Sequence, residues 1–192
     1  MAIAPVLAET IGNSKQFGVA PPACEKEAQI YLNICASRWA KTADFLRSLI
    51  YDEVYTQIPK ARKSQLKAIE KTWNSYRDIH CQELSAPFQK GSIYPLLYLS
   101  CRARVTNDRI ADLQGTNNSQ LTPDVTTQRL AEILKHEEMK NSSGQRQWLQ
   151  YQAQHCQFES LNTIETLRSV KQCRDRLAEG RLHELEAMLR IR

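Results

Sequence analysis

The feature that most limits what this chain can become is a pattern that occurs twice. Trp73-x-x-Tyr76-x-x-x-His80-Cys81-Gln82 recurs as Trp148-x-x-Tyr151-x-x-x-His155-Cys156-Gln157. Downstream, Cys101-Arg102-x-Arg104, Arg109 and Leu113 are matched by Cys173-Arg174-x-Arg176, Arg181 and Leu185 at the same mutual offsets. Ordered agreement of tryptophans, tyrosines, histidines and cysteines marks duplication of one supersecondary unit rather than coincidence. Trp, Tyr and His at three- and four-residue steps share one face of a helix, so the repeated unit is a pair of antiparallel helices.

The repeat also suggests how the cysteines pair. In each copy one cysteine closes a helix and the next sits early on the following antiparallel helix, which makes Cys81–Cys101 and Cys156–Cys173 the natural bonds. Cys24 and Cys35 remain for each other. Eleven residues of unbroken α-helix hold two Cα atoms about 16 Å apart, beyond the roughly 7 Å that a disulfide spans. The chain must therefore turn between Cys24 and Cys35, with Asn33 a candidate cap for the next helix.

Around this framework the periodicity is helical throughout. Trp39, Ala43, Leu46, Ile50, Val54 and Ile58 form one apolar stripe on a helix that Pro59 interrupts or ends. A second helix runs from about Ala61 to Leu84. A third runs from Pro95, a good first-turn residue, to Gly115, a stop. Beyond the turn-rich stretch from Thr116 to Asp124, three more helices are expected, at Thr126–Lys140, Gly144–Ser160 and Ile164–Arg192. The organisation is thus a loose arm or signal remnant over 1–22, a helical domain over 23–115, a linker over 116–125 and a partial repeat over 126–192 packed on the first domain. No alternating strand pattern occurs, so the fold class is all-α: disulfide-stapled helical hairpins with an internal repeat.

Several functional classes lose support at this stage. Six cysteines without a CxxC speak for disulfides in an oxidising compartment, and neither thioredoxin-like chemistry nor a zinc ribbon has its usual spacing. The net charge of +5 arises from interspersed residues, 26 basic against 21 acidic, and describes a solvated, mildly basic surface without a nucleic-acid footprint. No run approaches the roughly 20 apolar residues of a membrane span. Adjacent His80-Cys81 and His155-Cys156 point about 100° apart on a helix, which suits one ligand and one disulfide better than a chelate, so no metal is expected. No nucleophile motif or phosphate loop appears, so neither an enzyme nor a cofactor is expected. The first residues, through Val6-Leu7-Ala8, lack the basic region of a complete signal peptide although that tripeptide suits a signal-peptidase site. A leader cut short and an unstructured leader both fit.

The ordered set Cys24, Asn33-Ile34-Cys35, Ala43-Asp44, Tyr51, Trp73-x-x-Tyr76-Arg77-Asp78-x-x-Cys81, Gly91-Ser92-Ile93-Tyr94-Pro95, Cys101, Thr106, Arg109 and Leu113 resembles the LprI-type lysozyme-inhibitor domain. The resemblance covers roughly Cys24 to Leu113. It implies a helical, disulfide-linked envelope protein, periplasmic or secreted, that acts on a protein partner such as a lysozyme-like glycan hydrolase. The second copy departs from it: Gln152 and Ala153 stand where Arg77 and Asp78 stand, and no Gly-Ser-Ile-x-Pro precedes Cys173.

Two groups of residues are candidates for partner binding. The loop from Ser85 to Tyr94 is held at both ends by the expected Cys81–Cys101 bond and carries Lys90, Gly91, Ser92 and Tyr94, suited to a carboxylate-lined glycan cleft. Arg77, Asp78 and Arg109 form the second candidate, for which an ion-pair network orienting two helices is the favoured structural reading. Trp73, Tyr76, Trp148 and Tyr151 are read as core. Animal lysozymes are strongly basic, so a +5 binder meets them against repulsion unless its binding face is locally acidic, and a less basic bacterial hydrolase fits better. The alternative reading is a non-inhibitory interaction module of the envelope.

Overall fold

The structure, a computed structural model, describes residues 18–25, 27–115, 121–160 and 166–191. Expectations for the leader, for the linker from Thr116 to Gln120 and for the start of the last helix at Ile164 lie outside these residues. Seven α-helices and no strand occur among them: α1 Gln29–Gln57, α2 Lys60–Ser85, α3 Tyr94–Gln114, α4 Pro123–Ile133, α5 Glu137–Lys140, α6 Ser143–Ser160 and α7 Thr166–Ile191. A single 3-10 turn, Ala86–Phe88, follows α2.

The helix ends follow local chemistry. Ile58 is extended, as a residue before proline prefers, and so ends α1. Gly115 closes α3 in the left-handed region at φ 64°. Thr122 caps α4 by accepting from the Val125 N–H, and Pro123 supplies a first-turn residue with no N–H to satisfy. The single helix expected at Thr126–Lys140 is two helices. The break at 134–136 lets both Ile133 and Met139 enter the core, whereas six residues along one straight helix would point them about 120° apart. The cap expected at Asn33 is also corrected: α1 begins after Ala28, and Asn33 lies inside it.

The helices form a sequence of contacts in which α1 packs on α3, α3 on α2, α2 on α6, α6 on α7 and α7 on α4. The main core gathers Trp73, Tyr76, Trp148, Tyr151, Leu177, Leu182, Leu185 and Met188 with the Cys81–Cys101 and Cys156–Cys173 bonds. The two repeated hairpins, α2–α3 and α6–α7, thus meet through their Trp/Tyr/His faces. A smaller cluster of Trp39, Ala40 and Ala103 lies between α1 and α3, joined by Val19. There the N-terminal segment is clasped: Val19 N–H donates to Asn107 Oδ1 (3.0 Å), while Val19 O accepts from Asn107 Nδ2 (3.0 Å) and Trp39 Nε1 (2.6 Å). A Cβ on Gly18, at φ 156°, would stand 2.5 Å from Asn107 Oδ1, so the close approach requires glycine.

Candidate binding site

The loop between α2 and α3 is built by its own backbone. Gln89 N–H donates to Ala86 O (3.2 Å), Gly91 N–H to Phe88 O (2.8 Å) and Tyr94 N–H to Gly91 O (3.1 Å), giving consecutive tight turns. Phe88 and Ile93 pack against the main core, and the Cys81–Cys101 bond, with Cα atoms 5.5 Å apart, closes the base. Asn33 Nδ2 donates to Ser92 O at 3.0 Å, tying the loop tip to the first turns of α1. Those turns are in turn held by Cys24–Cys35, whose Cα atoms are 6.2 Å apart. Lys90, Gly91 and Ser92 are exposed on this support, whereas Tyr94 is half-buried and stacks on Tyr98 at 5.9 Å. Ser85 is buried, its hydroxyl donating to Cys81 O (2.8 Å), and so belongs to the base of the loop.

Arg77 and Arg109 lie in the interior and face different neighbours, linked by Arg47, which pairs with Glu70 and stands 4.0 Å from Asp44 Oδ1. Arg77 donates through Nη1 to Asp44 Oδ1 (2.7 Å) and through Nε to Asp78 Oδ1 (2.9 Å), with its guanidinium 4.8 Å from the Trp73 ring centroid. Arg102 joins the same carboxylates, Asp44 Oδ2 at 3.3 Å and Asp78 Oδ1 at 3.6 Å. This cluster ties α1, α2 and α3 together. At the position of Arg77 the second hairpin has Gln152, which donates to Arg174 O (3.2 Å).

Arg109 is fully buried and crosses between the hairpins. Nε and Nη2 donate to Glu70 Oε2 (3.1 and 2.9 Å), while Nη1 reaches the Tyr151 hydroxyl and His155 Nδ1, both at 3.2 Å. Arg181 does the reciprocal: Nε donates to Gln145 Oε1 (2.9 Å) and Nη1 reaches His80 Nδ1 (3.1 Å) and the Tyr76 hydroxyl (3.5 Å). The Tyr151 hydroxyl donates to Asp112 and that of Tyr76 to Glu184, and the two tyrosine rings stack 6.1 Å apart at 7°. Burial, then the neighbouring carboxylates, push both phenols well above their ordinary range. His80 is held well below its ordinary value by burial and by the Arg181 and Arg104 charges, so it is neutral and accepts at Nδ1. Each hairpin therefore supplies the arginine that satisfies the other's Tyr-His pair. Glu70, Gln145, Asp112 and Glu184, three residues from the repeated Trp or Arg, complete the scheme. They carry no sequence signal by themselves, although their matched offsets in the two copies would reveal them.

One group with the composition of a metal site exists among the described residues: His155, Glu159 and Cys173 place ligand atoms within 4.8 Å. Cys173 is bonded to Cys156, so no thiolate is available. Burial would raise the Glu159 carboxyl, but hydrogen bonds and charge from His155 and Arg176 hold it at about 2, as an ion-pair partner rather than a free ligand.

Fold and site together define a class: an all-helical domain stapled by disulfides, with Arg77, Arg109 and Arg181 buried in internal contacts and the Lys90-Gly91-Ser92 turn exposed between α2 and α3. The sequence model of the family described as "Lysozyme inhibitor LprI" matches residues 22–113, and the chain belongs to this family. An uncharacterized protein of Rhizobium meliloti (strain 1021) is 31% identical over 107 residues, 48% of this chain and 77% of that protein. No solved structure matches. The family match ends before the second hairpin. Membership implies lysozyme inhibition, and family and disulfides together suggest an extracytoplasmic protein. No helix among the described residues is long and apolar enough to cross a membrane.

Proposed function

We propose that this protein is a periplasmic or secreted inhibitor that binds a glycan-cleaving cell-wall hydrolase through the loop from Ser85 to Tyr94. The observation that carries the reading is the exposed Lys90-Gly91-Ser92 tip on a loop fixed by the Cys81–Cys101 bond, by packed Phe88 and Ile93 and by Asn33. A loop ordered before binding loses little further entropy on entering a cleft. Its ammonium group is suited to the paired carboxylates that glycoside hydrolysis requires. Arg77 and Arg109 support the loop from inside: their side chains set the packing of α2 and α3, the two helices from which it springs. The C-terminal hairpin, which lacks the Gly-Ser-Ile-x-Pro turn, serves as buttress.

The test is clearance of a cell-wall suspension by animal C-type, goose-type and bacterial hydrolases, each titrated with oxidised protein. Inhibition of at least one class at micromolar concentration is expected, with Lys90→Glu weakening it at least tenfold, because repulsion replaces a charge pair desolvated in the cleft. Inhibition that survives both Lys90→Glu and Ser92→Ala moves the site elsewhere. Absence of inhibition of every class favours the envelope interaction module.

A further inference from the structure

The sequence disperses its positive charge, but the fold collects part of it. Lys60, Lys63, Lys67 and Lys71 recur at three- and four-residue steps along α2, within about 80° of one another around the helix and over about 16 Å of its length. Lys63 and Lys67 both rest on the Tyr55 ring of α1, their ammonium groups 4.7 and 5.1 Å from its centroid, and Tyr55 in turn stacks on Tyr51 at 5.9 Å. Among the described residues none of the four is ion-paired, whereas Lys135, Lys140 and Lys171 each have a carboxylate partner. Glu70, the acidic residue nearest in sequence to the stripe on α2, is buried and taken by Arg47 and Arg109. The first turn of α2 contains no acidic residue, so the helix dipole adds to the uncompensated charge instead of offsetting it.

We propose that this edge of α1 and α2 is a docking site for a linear polymer bearing phosphodiester groups, such as a polyol-phosphate chain, with successive phosphates seated on Lys60, Lys63, Lys67 and Lys71. Four point charges in a row match a chain rather than a single anion, and ammonium groups read charge and spacing without requiring a fixed fork geometry. Tyr55 restrains the two central lysines in advance, lowering the entropy lost on binding. A membrane surface fits less well. The exposed large apolar side chains of α1 nearest Tyr55 along the chain, Leu49 and Phe45, are turned about 120° and 80° away from it around that helix. A nucleic acid fits less well too, because the tyrosine faces that would stack bases are occupied by Lys63, Lys67 and each other. This site does not depend on the hydrolase reading, and binding there would hold the protein at a phosphate-rich surface.

The experiment is titration of the full oxidised chain with synthetic poly(glycerol phosphate) across a salt series, beside single-stranded oligonucleotide and anionic lipid vesicles of equal charge concentration. With four phosphates neutralised, the slope of log K against log salt is expected near −2.8, from about −0.7 per contact on a flexible single chain. Lys63→Gln/Lys67→Gln is expected to weaken binding at least tenfold at low salt and to reduce the slope by about 1.4. Lys135→Gln/Lys140→Gln, with the same change in net charge, is expected to alter it less than threefold. Equal losses from the two double variants would reduce the effect to general charge attraction and overturn the site. Tighter binding of the vesicles or the oligonucleotide than of the polymer overturns the choice of partner.

Discussion

Arg109 of the first hairpin donates to the Tyr151 hydroxyl of the second at 3.2 Å, and Arg181 of the second points back to the Tyr76 hydroxyl of the first at 3.5 Å. The exchange makes the hairpins mutually dependent, since each arginine serves the buried Tyr-His pair of the other hairpin. Arg109→Met removes the cation and leaves Glu70 buried with Arg47 alone. Loss of about 3 to 5 kcal/mol in denaturant unfolding is expected, the range for breaking a buried pair from one side. Adding Glu70→Gln should recover part of it, and a strictly additive double variant would show that the pair is not coupled.

The two arginines are not equally served. Glu70 accepts from both Nε and Nη2 of Arg109, whereas Gln145 offers Arg181 one oxygen and Glu184 takes its Nη1 (3.0 Å), so Arg181 Nη2 is buried with no partner among the described residues. Gln145→Glu supplies the second acceptor in a charge-assisted fork. Stabilisation of about 1 kcal/mol at neutral pH is expected, read as a higher denaturation midpoint with unchanged m-value. A lower midpoint would mean that desolvating the new carboxylate outweighs the added bond.

Most of the architecture was legible because it rests on periodicity and on the repeat. The stripe from Trp39 to Ile58, the Trp/Tyr/His faces and the pairing of Cys81 with Cys101 are all consequences of helical spacing. What escaped were relations between distant residues. The break between Ile133 and Met139 follows from two side chains competing for one core, which no local signal carries. Asn33 has the composition of a cap, yet its amide serves Ser92, 59 residues away. The lysines of α2 appeared dispersed because a count along the chain ignores the helix that aligns them. Arg77 and Arg109 are linked through Asp44, Arg47 and Glu70, but that Arg109 also reaches across to Tyr151 and His155 of α6 is a relation that no spacing along the chain carries.

Protonation of His80 should weaken the interface between the hairpins. His80 has a folded pKa well below its ordinary value, so between pH 6.5 and that lower value the unfolded chain binds the extra proton. Stability therefore falls as pH drops below about 6.5, by up to about 1.4 kcal/mol per pH unit for this one group. Glu159, depressed to about 2, adds stability that is present above its ordinary range near 4.5 and is lost as pH falls through about 2. Buried Asp108, its carboxyl pushed up to about 8 by burial and by Glu184 and Asp112, works in the opposite sense between pH 8 and 4. The His80 contribution is therefore read as the difference between the wild type and His80→Gln, whose denaturation midpoints should decline less as pH falls over this range. An unchanged decline in that variant would place the titrating group elsewhere.

The two repeated disulfides should separate stability from recognition. Cys81–Cys101 closes a 20-residue separation and Cys156–Cys173 one of 17, with equal Cα distances of 5.5 Å, so loop entropy assigns them nearly the same stabilisation, about 3 kcal/mol each. Only the first closes the base of the Lys90-Gly91-Ser92 loop. Replacing Cys81 and Cys101 by alanine should lower the unfolding free energy and also free the loop tip to fluctuate, lengthening its path to a bound state. Replacing Cys156 and Cys173 should lower stability by a similar amount and leave the tip restrained by Asn33, Phe88 and Ile93. At a temperature where both variants remain folded, hydrogen exchange at the Gly91 amide, which donates to Phe88 O, should accelerate in the first variant alone. Inhibition of a responsive hydrolase should weaken in the same variant alone. Equal losses of inhibition in both would mean that the second hairpin touches the partner and that the contact surface extends beyond the loop.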